Sequence, residues 1–257
     1  MNQQLEIVFE QFNNGELRGS DPVARQRLLD AFSEFPVQYL SSDGAFQSES
    51  THAAGIDKFG SLLNRRAPKL KADGNRIVPG AMIRDGVHIG RHNIFMFHAA
   101  VNIAAYIGDD NMIDSHASVG SAAQIGNGNK IGSFVSLEGV LSPANAEPVI
   151  IGDHNFLGSF VRIGTGIVMG NHNFIGSGVN VSLGTKIRDC RAASSTRGGY
   201  VTFHDLNRKF DHAVLMLNNA VRTFEGVEVL PGEYLLFENS EGFMARFEAD
   251  PRIKAAR

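Results

Sequence analysis

Apolar residues recur at every sixth position through the middle of the chain. From Ile77 to Ser142 an apolar residue opens each group of six, and the fifth residue of most groups is small or apolar. Eight residues, 143–150, interrupt the count, which resumes at Ile151 and closes at Ile187. Neither the 3.6-residue period of an amphipathic helix nor the two-residue alternation of a hairpin strand fits this spacing.

A six-residue period predicts a left-handed parallel β-helix of triangular cross-section. Each group would supply one short strand and one corner, three groups would form an 18-residue coil, and the first residue of each group would point inward. One coil cannot bury its apolar side alone, so stacked coils share a continuous core. We therefore expect a mainly β protein in which residues 76–189 form the β-helix and residues 143–150 form a loop that leaves the register unchanged.

A short phrase, IGxxN or MGxxN, returns once per coil. Its copies are 18 residues apart, except for one step of 26 that equals a coil plus the interruption. We expect their final asparagines to stack as a ladder of side-chain hydrogen bonds, with asparagine tolerating left-handed backbone angles at the corner. These are Asn93, Asn111, Asn129, Asn155 and Asn173.

The two flanks lack the six-residue period. In residues 1–75, LEIVFEQF and DPVARQRLLDAFSEF predict helices, the second capped by Asp21 with Pro22 as its first helical residue. We expect residues 1–75 to form a small α-helical domain and residues 190–257 a mixed segment. In that segment FDHAVLMLNNAVRTF is compatible with helix or strand, and EYLLFEN predicts a strand.

Composition narrows the class of protein. Hydrophobic residues make up 43% of the chain and the net charge is only -3, without a basic run, which argues against nucleic-acid binding. No secretory signal follows Met1, and no apolar run approaches the roughly 18 residues that span a membrane. The single cysteine, Cys190, excludes an internal disulfide and suits a reducing compartment. We expect a cytoplasmic protein that binds neither membranes nor nucleic acid.

Four strings resemble one family of hexapeptide-repeat acyltransferases, the tetrahydrodipicolinate N-succinyltransferases of lysine and diaminopimelate biosynthesis. They are NRIVPG at 75–80, VNIAAYIGDDNMIDSHASVGSAAQIG at 101–126, EGVLSP at 138–143 and ANAEPVIIGDHNFLG at 144–158. The resemblance covers the predicted β-helix and, more weakly, the N-terminal helices. It implies a homotrimer of parallel prisms, with acyl-CoA in a groove between subunits and a small amino-dicarboxylate as the acceptor.

The resemblance also implies site residues. Arg76 matches an arginine that binds the substrate, and a guanidinium suits a dicarboxylic amino acid. Asp114 matches an aspartate at the substrate site that holds or deprotonates the amine; the alternative is an ordinary exposed strand aspartate. His116 replaces a family tryptophan, and hexapeptide acyltransferases often use a histidine as general base. We place it on one face of a strand with Asp114. Alternatively, His116 only stacks on His98 and Phe134 at a subunit interface.

Two positions depart from the family. The residue aligned with the catalytic glutamate is Arg162, and Glu138 replaces a glycine, so the local charge is reversed. The two side chains lie close in the predicted register. Glu138 could therefore supply the missing carboxylate while Arg162 binds an anion of the substrate or of CoA. A plain surface ion pair is equally compatible with the sequence.

Further positions are candidates for contact with CoA. Backbone at Gly158, Gly176 and Ser177 would line the pantetheine arm, although corner geometry alone also favours glycine there. Lys186 and Arg188, at the end of the prism, would meet the phosphates, unless they are simply solvated. Stacked histidines also occur, at His98 and His116 and at His92, His154 and His172, but no mixed ligand set accompanies them, so we expect no metal site.

The predicted function is acyl-CoA-dependent N-acyl transfer, with succinyl-CoA or acetyl-CoA as donor. The alternatives are a paralogous acyltransferase of a secondary pathway, such as tabtoxin-like antimetabolite synthesis, and a non-catalytic trimeric β-helix scaffold. The sequence does not fix the length of the acyl chain or the identity of the amine.

Overall fold

A three-sided parallel β-helix forms the centre of the molecule. The structure is a computed structural model that describes residues 3–34, 38–40, 55–57, 60–141, 146–207, 209–224 and 226–239. Each strand of the helix is two residues long and pairs in parallel with the strand one coil later. Successive strands therefore belong to three different sheets, which we call faces 1, 2 and 3.

The strands of each face are as follows. Face 1 contains β3 (Arg76–Ile77), β6 (Ile94–Phe95), β9 (Met112–Ile113), β12 (Lys130–Ile131), β15 (Phe156–Leu157) and β18 (Phe174–Ile175). Face 2 contains β4 (Met82–Ile83), β7 (Ala100–Val101), β10 (Ser118–Val119), β13 (Ser136–Leu137), β16 (Arg162–Ile163) and β19 (Asn180–Val181). Face 3 contains β5 (His88–Ile89), β8 (Tyr106–Ile107), β11 (Gln124–Ile125), β14 (Ile150–Ile151) and β17 (Val168–Met169).

The hexad register is confirmed. The residue that opens each hexad is the second residue of a strand and points into the prism, as the complete burial of Ile113, Val119 and Ile125 shows. The strands on either side of the interruption, β11 and β14, pair directly, with Ile125 opposite Ile151. The interruption therefore leaves the coil register unchanged. Part of it, residues 142–145, lies outside the described residues.

The predicted asparagine ladder is present at the corner between faces 3 and 1. From Asn111 onwards, each ladder Nδ2 donates to the Oδ1 of the asparagine one coil earlier at 2.9–3.1 Å, and that Oδ1 also accepts a backbone N–H. The ladder starts at Asn75 and ends where the Ala213 N–H donates to Asn173. The left-handed backbone angle, however, falls on the residue before each asparagine, such as His92 with φ of 56°. The expected role of asparagine in that angle is wrong, since its side chain points into the ladder instead.

A second ladder runs beside the first and explains the glycine of the repeated phrase. The Oδ1 of each member accepts the backbone N–H one coil earlier, for example Asn127 N–H to Asp153 Oδ1 at 2.6 Å. A Cβ on the glycine just before each donating residue, such as Gly126 before Asn127, would collide with that oxygen. The rungs alternate in charge: Asp109, Asn127, Asp153, Asn171 and Asp211.

The β-helix does not close at Ile187 as predicted. Instead, β20 (Ile187–Asp189) pairs with two strands outside the prism, β21 (Tyr200–Val201) and β26 (Tyr234–Glu238). Its place on face 3 is taken by β22 (Lys209–Phe210), and β23 (Ala213–Leu217) extends face 1. Asp211 takes the next rung of the second ladder and the Ala213 N–H closes the first, although Asp189 stands 18 residues after Asn171 and so continues the sequence register.

The remaining C-terminal strands form an antiparallel addition. β23 pairs with β26, and β24 (Arg222–Phe224) pairs with β25 (Val227–Val229). The stretch 210–224, which was compatible with helix or strand, thus contains strands, and the strand predicted in EYLLFEN is confirmed as β26.

Three helices precede the prism: α1 (Gln3–Asn13), α2 (Pro22–Glu34) and α3 (Leu62–Ala72). Between α2 and α3, two short strands pair in antiparallel, β1 (Gln38–Leu40) and β2 (Gly55–Asp57). Asp21 caps α2 as predicted, because its Oδ1 accepts the Val23 N–H at 2.8 Å. The first two helices bury Phe9, Phe12 and Leu28 on the corner between faces 2 and 3, where alanines leave room for them.

Replacing a ladder asparagine should cost stability. Asn129 is fully buried and bonds to both neighbouring rungs. Asn129→Ala leaves buried polar groups on both rungs unpaired, so we expect a loss of about 2–4 kcal/mol in the free energy of unfolding, measured by denaturant titration. Asn127→Ala, on the exposed ladder, is the control and should lose much less. Equal losses would show that burial of the rung is unimportant.

Replacing the repeat glycine tests the second ladder. A Cβ at Gly126 would stand 2.7 Å from the Gly152 carbonyl oxygen as well as colliding with Asp153. Gly126→Ala should therefore lower the free energy of unfolding by about 1–3 kcal/mol. Gly184→Ala is the matched control, because no described atom lies within 4 Å of its Cβ position. A harmless Gly126→Ala would contradict this explanation of the repeat.

Candidate active site

Four aromatic rings stack along the corner between faces 1 and 2, which we call the aromatic corner. His98, His116, Phe134 and Phe160 occupy one position on successive coils, each with φ between 58° and 60°. The rings of His116 and Phe134 lie parallel with centroids 4.7 Å apart, and those of Phe134 and Phe160 lie 4.9 Å apart. The predicted column is therefore confirmed, and it is exposed along its length.

Asp114 lies at the same corner, directly after β9. Its side chain is half-buried and its Oδ1 accepts the N–H of Ser115 at 2.7 Å. Asp114 and His116 do not share a strand, as we had expected, because β9 ends at Ile113 and both residues belong to the turn. The turn nevertheless places a carboxylate and an imidazole two residues apart on one exposed edge of the prism.

Neighbouring rings hold His116 in place. Phe134 covers one face of its imidazole, while His98 and Phe97 approach edge-on at centroid distances of 4.8 and 5.3 Å. This arrangement agrees with the stacking role that the sequence left open. Because the imidazole is exposed, stacking leaves its nitrogen atoms accessible to a ligand, and both interpretations are compatible with the structure.

Arg76 lies on face 1, two coils before Asp114. Two coils correspond to about 10 Å along the prism axis. Both side chains flank an inward-facing residue of their strands and so point outward on the same face. They do not form one contact cluster, but a ligand lying along the face could meet both.

Glu138 and Arg162 form an ion pair on face 2. The second carboxylate oxygen of Glu138 accepts the Thr165 N–H at 3.0 Å, and Arg162 also donates to Asn180 Oδ1 at 3.1 Å. The contact that the register indicated is present. Arg162 opens β16 next to the aromatic corner, whereas Glu138 follows β13 towards face 3, so the pair lies across face 2 and Asp114 lies on the other side of the aromatic corner.

Glycines continue the column of Asp114 towards the C-terminal end of the prism. Gly158 and Gly176 follow their strands at the position that Asp114 holds. A Cβ on Gly158 would stand 2.6 Å from the backbone N of Ser177, so coil packing alone requires glycine there. A Cβ on Gly176 would stand 3.4 Å from the Met216 Cβ and 3.6 Å from the Leu215 carbonyl oxygen, which are ordinary contacts, so packing constrains this position much less.

The two cations at the end of the prism differ in their surroundings. Lys186 is exposed ahead of β20. Arg188 contacts Glu233 at 2.6 Å, donates to the Gly198 carbonyl at 2.8 Å and lies over the ring of Tyr200. Its guanidinium thus holds the C-terminal strands together, and this structural role is sufficient to explain an arginine at this position.

Beside Arg188, a buried carboxylate organises the loop 190–199. Asp189 is completely buried and accepts hydrogen bonds from Arg191, Ser194 and Thr196. Burial alone would raise the pKa of Asp189, but these hydrogen bonds outweigh it and hold the pKa well below its usual range. The adjacent Cys190 is buried, and this burial raises the pKa of its thiol, which makes it a poor nucleophile.

Sequence reasoning missed three of these features. The edge-on ring of Phe97 precedes the column and had no periodic signal. The role of Arg188 depends on Glu233, 45 residues further along the chain. The role of Asp189 depends on the irregular loop that follows it, whose Ser194 and Thr196 hydroxyl groups donate to its carboxylate. By contrast, the second ladder was readable from the Asp and Asn two residues before each ladder asparagine.

Comparison with known proteins relates the chain to named enzymes. The model of the bacterial transferase hexapeptide family (six repeats) matches residues 104–139. The 2,3,4,5-tetrahydropyridine-2,6-dicarboxylate N-succinyltransferase of Caulobacter vibrioides is 41% identical over 123 residues, 48% of this chain and 44% of that protein. The protein of the same name from Idiomarina loihiensis is 31% identical over 193 residues, 74% of this chain and 69% of that protein.

The chain belongs to the tetrahydropyridine-dicarboxylate N-succinyltransferase family. The chain spans less than half the length of several curated relatives in this family, the Caulobacter protein among them. A solved Campylobacter jejuni structure, described as a candidate 2,3,4,5-tetrahydropyridine-2-carboxylate N-succinyltransferase, shares the fold with a TM-score of 0.52. That match has 17% identity and covers 81% of this chain and 56% of the other.

The described residues of this N-succinyltransferase family member contain neither a cluster of metal ligands nor a helix that could cross a membrane. No group of three or more histidine, cysteine or acidic side chains among the described residues is arranged to hold a metal ion. Within the same residues, no helix has the length and apolar character that a membrane crossing requires.

The dependence of the free energy of unfolding on pH should reveal the lowered pKa of Asp189. A carboxyl group whose pKa is lowered by folding contributes stability above its unfolded pKa, about 3.9, and loses it as the pH falls through the folded value. Asp189→Asn should therefore lower the free energy of unfolding by at least about 2 kcal/mol at pH 7. Urea titrations should give the same difference at pH 5, and a smaller one only below about pH 4.

The exposed Glu228→Gln serves as the control for this series and should change stability little. A difference between wild type and Asp189→Asn that already shrinks between pH 7 and pH 5 would contradict the lowered pKa of Asp189.

Proposed function

We propose that this protein is an acyl-CoA-dependent N-acyltransferase. It would transfer a succinyl or acetyl group to the amine of a small amino-dicarboxylate, as a homotrimer of left-handed prisms. One observation carries the proposal: the aromatic corner presents the Asp114 carboxylate and the His116 imidazole together, in the fold and family of N-succinyltransferases. Donor, acceptor and oligomer are inferred from the names of the relatives and from the resemblance of the motifs.

The chemistry requires a base for the amine. The amine nitrogen attacks the thioester carbonyl, a C–N bond forms, the C–S bond breaks, and CoA leaves as a thiolate. Asp114 would orient the amine, and His116 would take its proton and return one to the thiolate. Backbone N–H groups would stabilise the oxyanion. No covalent intermediate with the enzyme is needed, in agreement with the burial of Cys190.

Arg76 would bind a carboxylate of the acceptor. It is exposed on the same face as Asp114, about two coils away, which suits an acceptor with an amine at one end and a carboxylate at the other. Lys130, also outward on face 1, lies one coil beyond Met112 and adds positive charge to this surface.

The Glu138–Arg162 pair supports two proposals. If a neighbouring subunit completes the site across the aromatic corner, Glu138 supplies a carboxylate and Arg162 binds an anion of substrate or CoA. In the pair as it stands, each charge offsets the other, and this favours the second candidate, a trimeric scaffold without catalytic activity. A paralogous acyltransferase of a secondary pathway is the third alternative.

The pantetheine arm of CoA would run along the column of positions that continues from Asp114 to Gly158 and Gly176. Gly176 and Ser177 are the better candidates for backbone contact, because packing already accounts for Gly158. Lys186 is free to face solvent and suits a phosphate, whereas Arg188 is engaged with Glu233.

A thiol-release assay with succinyl-CoA and acetyl-CoA against amino-dicarboxylate acceptors tests the proposal. His116→Phe keeps a stacked ring but removes the proton acceptor, and we expect kcat/KM to fall about 100-fold. Asp114→Asn should cause a similar fall. His154→Phe is the matched control, because His154 stacks in another column, and it should retain activity.

Full activity of His116→Phe would assign His116 to stacking alone. Thermal shifts address the scaffold directly, because a bound ligand raises the unfolding temperature by mass action. The absence of any shift with millimolar CoA, acetyl-CoA and succinyl-CoA would refute the transferase and favour the scaffold.

A further inference from the structure

The stacked rings of the aromatic corner end at an open position. Phe134 covers one face of the Phe160 ring, at 4.9 Å and 2° from parallel. The next coil places Gly178 where another ring would continue the column, with φ of 75°. No described atom lies within 4 Å of the position that a Cβ would take on Gly178. Phe160 is consequently 64% exposed, although its ring is held firmly from below.

Polar and apolar groups flank this opening on two sides. On face 2, Asn180 receives a hydrogen bond from Arg162 at 3.1 Å, and its backbone N–H donates to the Tyr234 hydroxyl at 3.2 Å. On face 1, β23 ends at Leu217, which is 43% exposed and pairs with Tyr234. The position therefore has a flat aromatic floor, a glycine at its back and hydrogen-bonding groups at one edge.

We propose that this notch binds the adenine ring of the acyl-CoA, stacked on Phe160 above Gly178. The inference rests on the proposed function and names a subsite within it. A planar heteroaromatic ring matches the notch because it continues the column at the existing ring spacing, and its polar edge would face Asn180. Stacking of a base on an aromatic side chain accepts any purine face without a specific hydrogen-bond pattern.

The distance from the reacting groups agrees with this assignment. Three coils separate His116 from Gly178, which is about 14 Å along the axis. The pantetheine arm is an extended, flexible chain that joins the thioester to the nucleotide. Along the Gly176 column it would connect Asp114 to the notch without leaving the aromatic corner.

Isothermal titration with adenosine 3′,5′-bisphosphate tests the notch without any acyl group. Phe160→Leu keeps an apolar side chain but removes the ring, and we expect its affinity to fall about tenfold or more. Phe160→Tyr keeps the ring and should bind like wild type. Gly178→Asn tolerates the left-handed backbone, fills the notch and should also weaken binding. It provides the test if Phe160→Leu fails to fold.

Equal affinity of wild type and Phe160→Leu would overturn the proposal, as would the absence of binding to wild type. Unchanged affinity combined with a smaller oligomer for Phe160→Leu, measured by sedimentation, would assign the ring to contact between copies and also overturn it. The proposed function is tested separately by assaying the wild-type protein with an acyl-pantetheine, which lacks the nucleotide. This assay distinguishes failure of the notch from failure of the transferase.

Discussion

The hydrogen bonds of the two side-chain ladders are the constraint on which this structure depends. Strands of two residues make too few backbone contacts to define a register alone, and any apolar residue could face the core. The Oδ1 atoms of Asn129 and Asp153 each accept a backbone N–H from a neighbouring coil, so a shift by one residue would break every rung. The same rungs require a glycine ahead of them, which is why the phrase recurs as a unit.

Because the repeat is exact, the spacing between two residues along the chain determines where they lie relative to each other on the surface. Residues 18 apart stand above one another, so the aromatic column and the glycine column are straight lines parallel to the axis. A prism of this kind offers edges and flat faces. Asp114 and the Glu138–Arg162 pair lie on either side of one edge, and one chain alone does not enclose them. An enclosed site at such an edge needs a second surface, which is the physical argument for a subunit interface there.

The six-residue repeat made most of the fold predictable. The features that it did not predict have physical reasons too. The strand register, the asparagine ladder and the Glu138–Arg162 contact could be predicted by counting residues from one coil to the next. Each of them depends only on the coil before or after it. Ile187 continued the count but left the prism, because the distant Lys209–Phe210 pairs with β17 in its place, which spacing along the chain does not reveal. The role of Arg188 likewise depends on the distant Glu233, and that of Asp189 depends on an irregular loop outside the repeat. At the site, counting located Asp114 and His116 but placed them on a strand instead of in a turn.

The alternation of Asp and Asn along the exposed ladder has a consequence for how such a chain can lengthen. Neutral amides separate the carboxylates of Asp109, Asp153 and Asp211, so like charges stand two coils apart, about 10 Å. Duplication of one coil would bring two carboxylates, or two amides, onto neighbouring rungs. Duplication of a pair of coils would preserve the pattern. Growth of this prism by tandem duplication is therefore favoured in steps of 36 residues, twice the coil length.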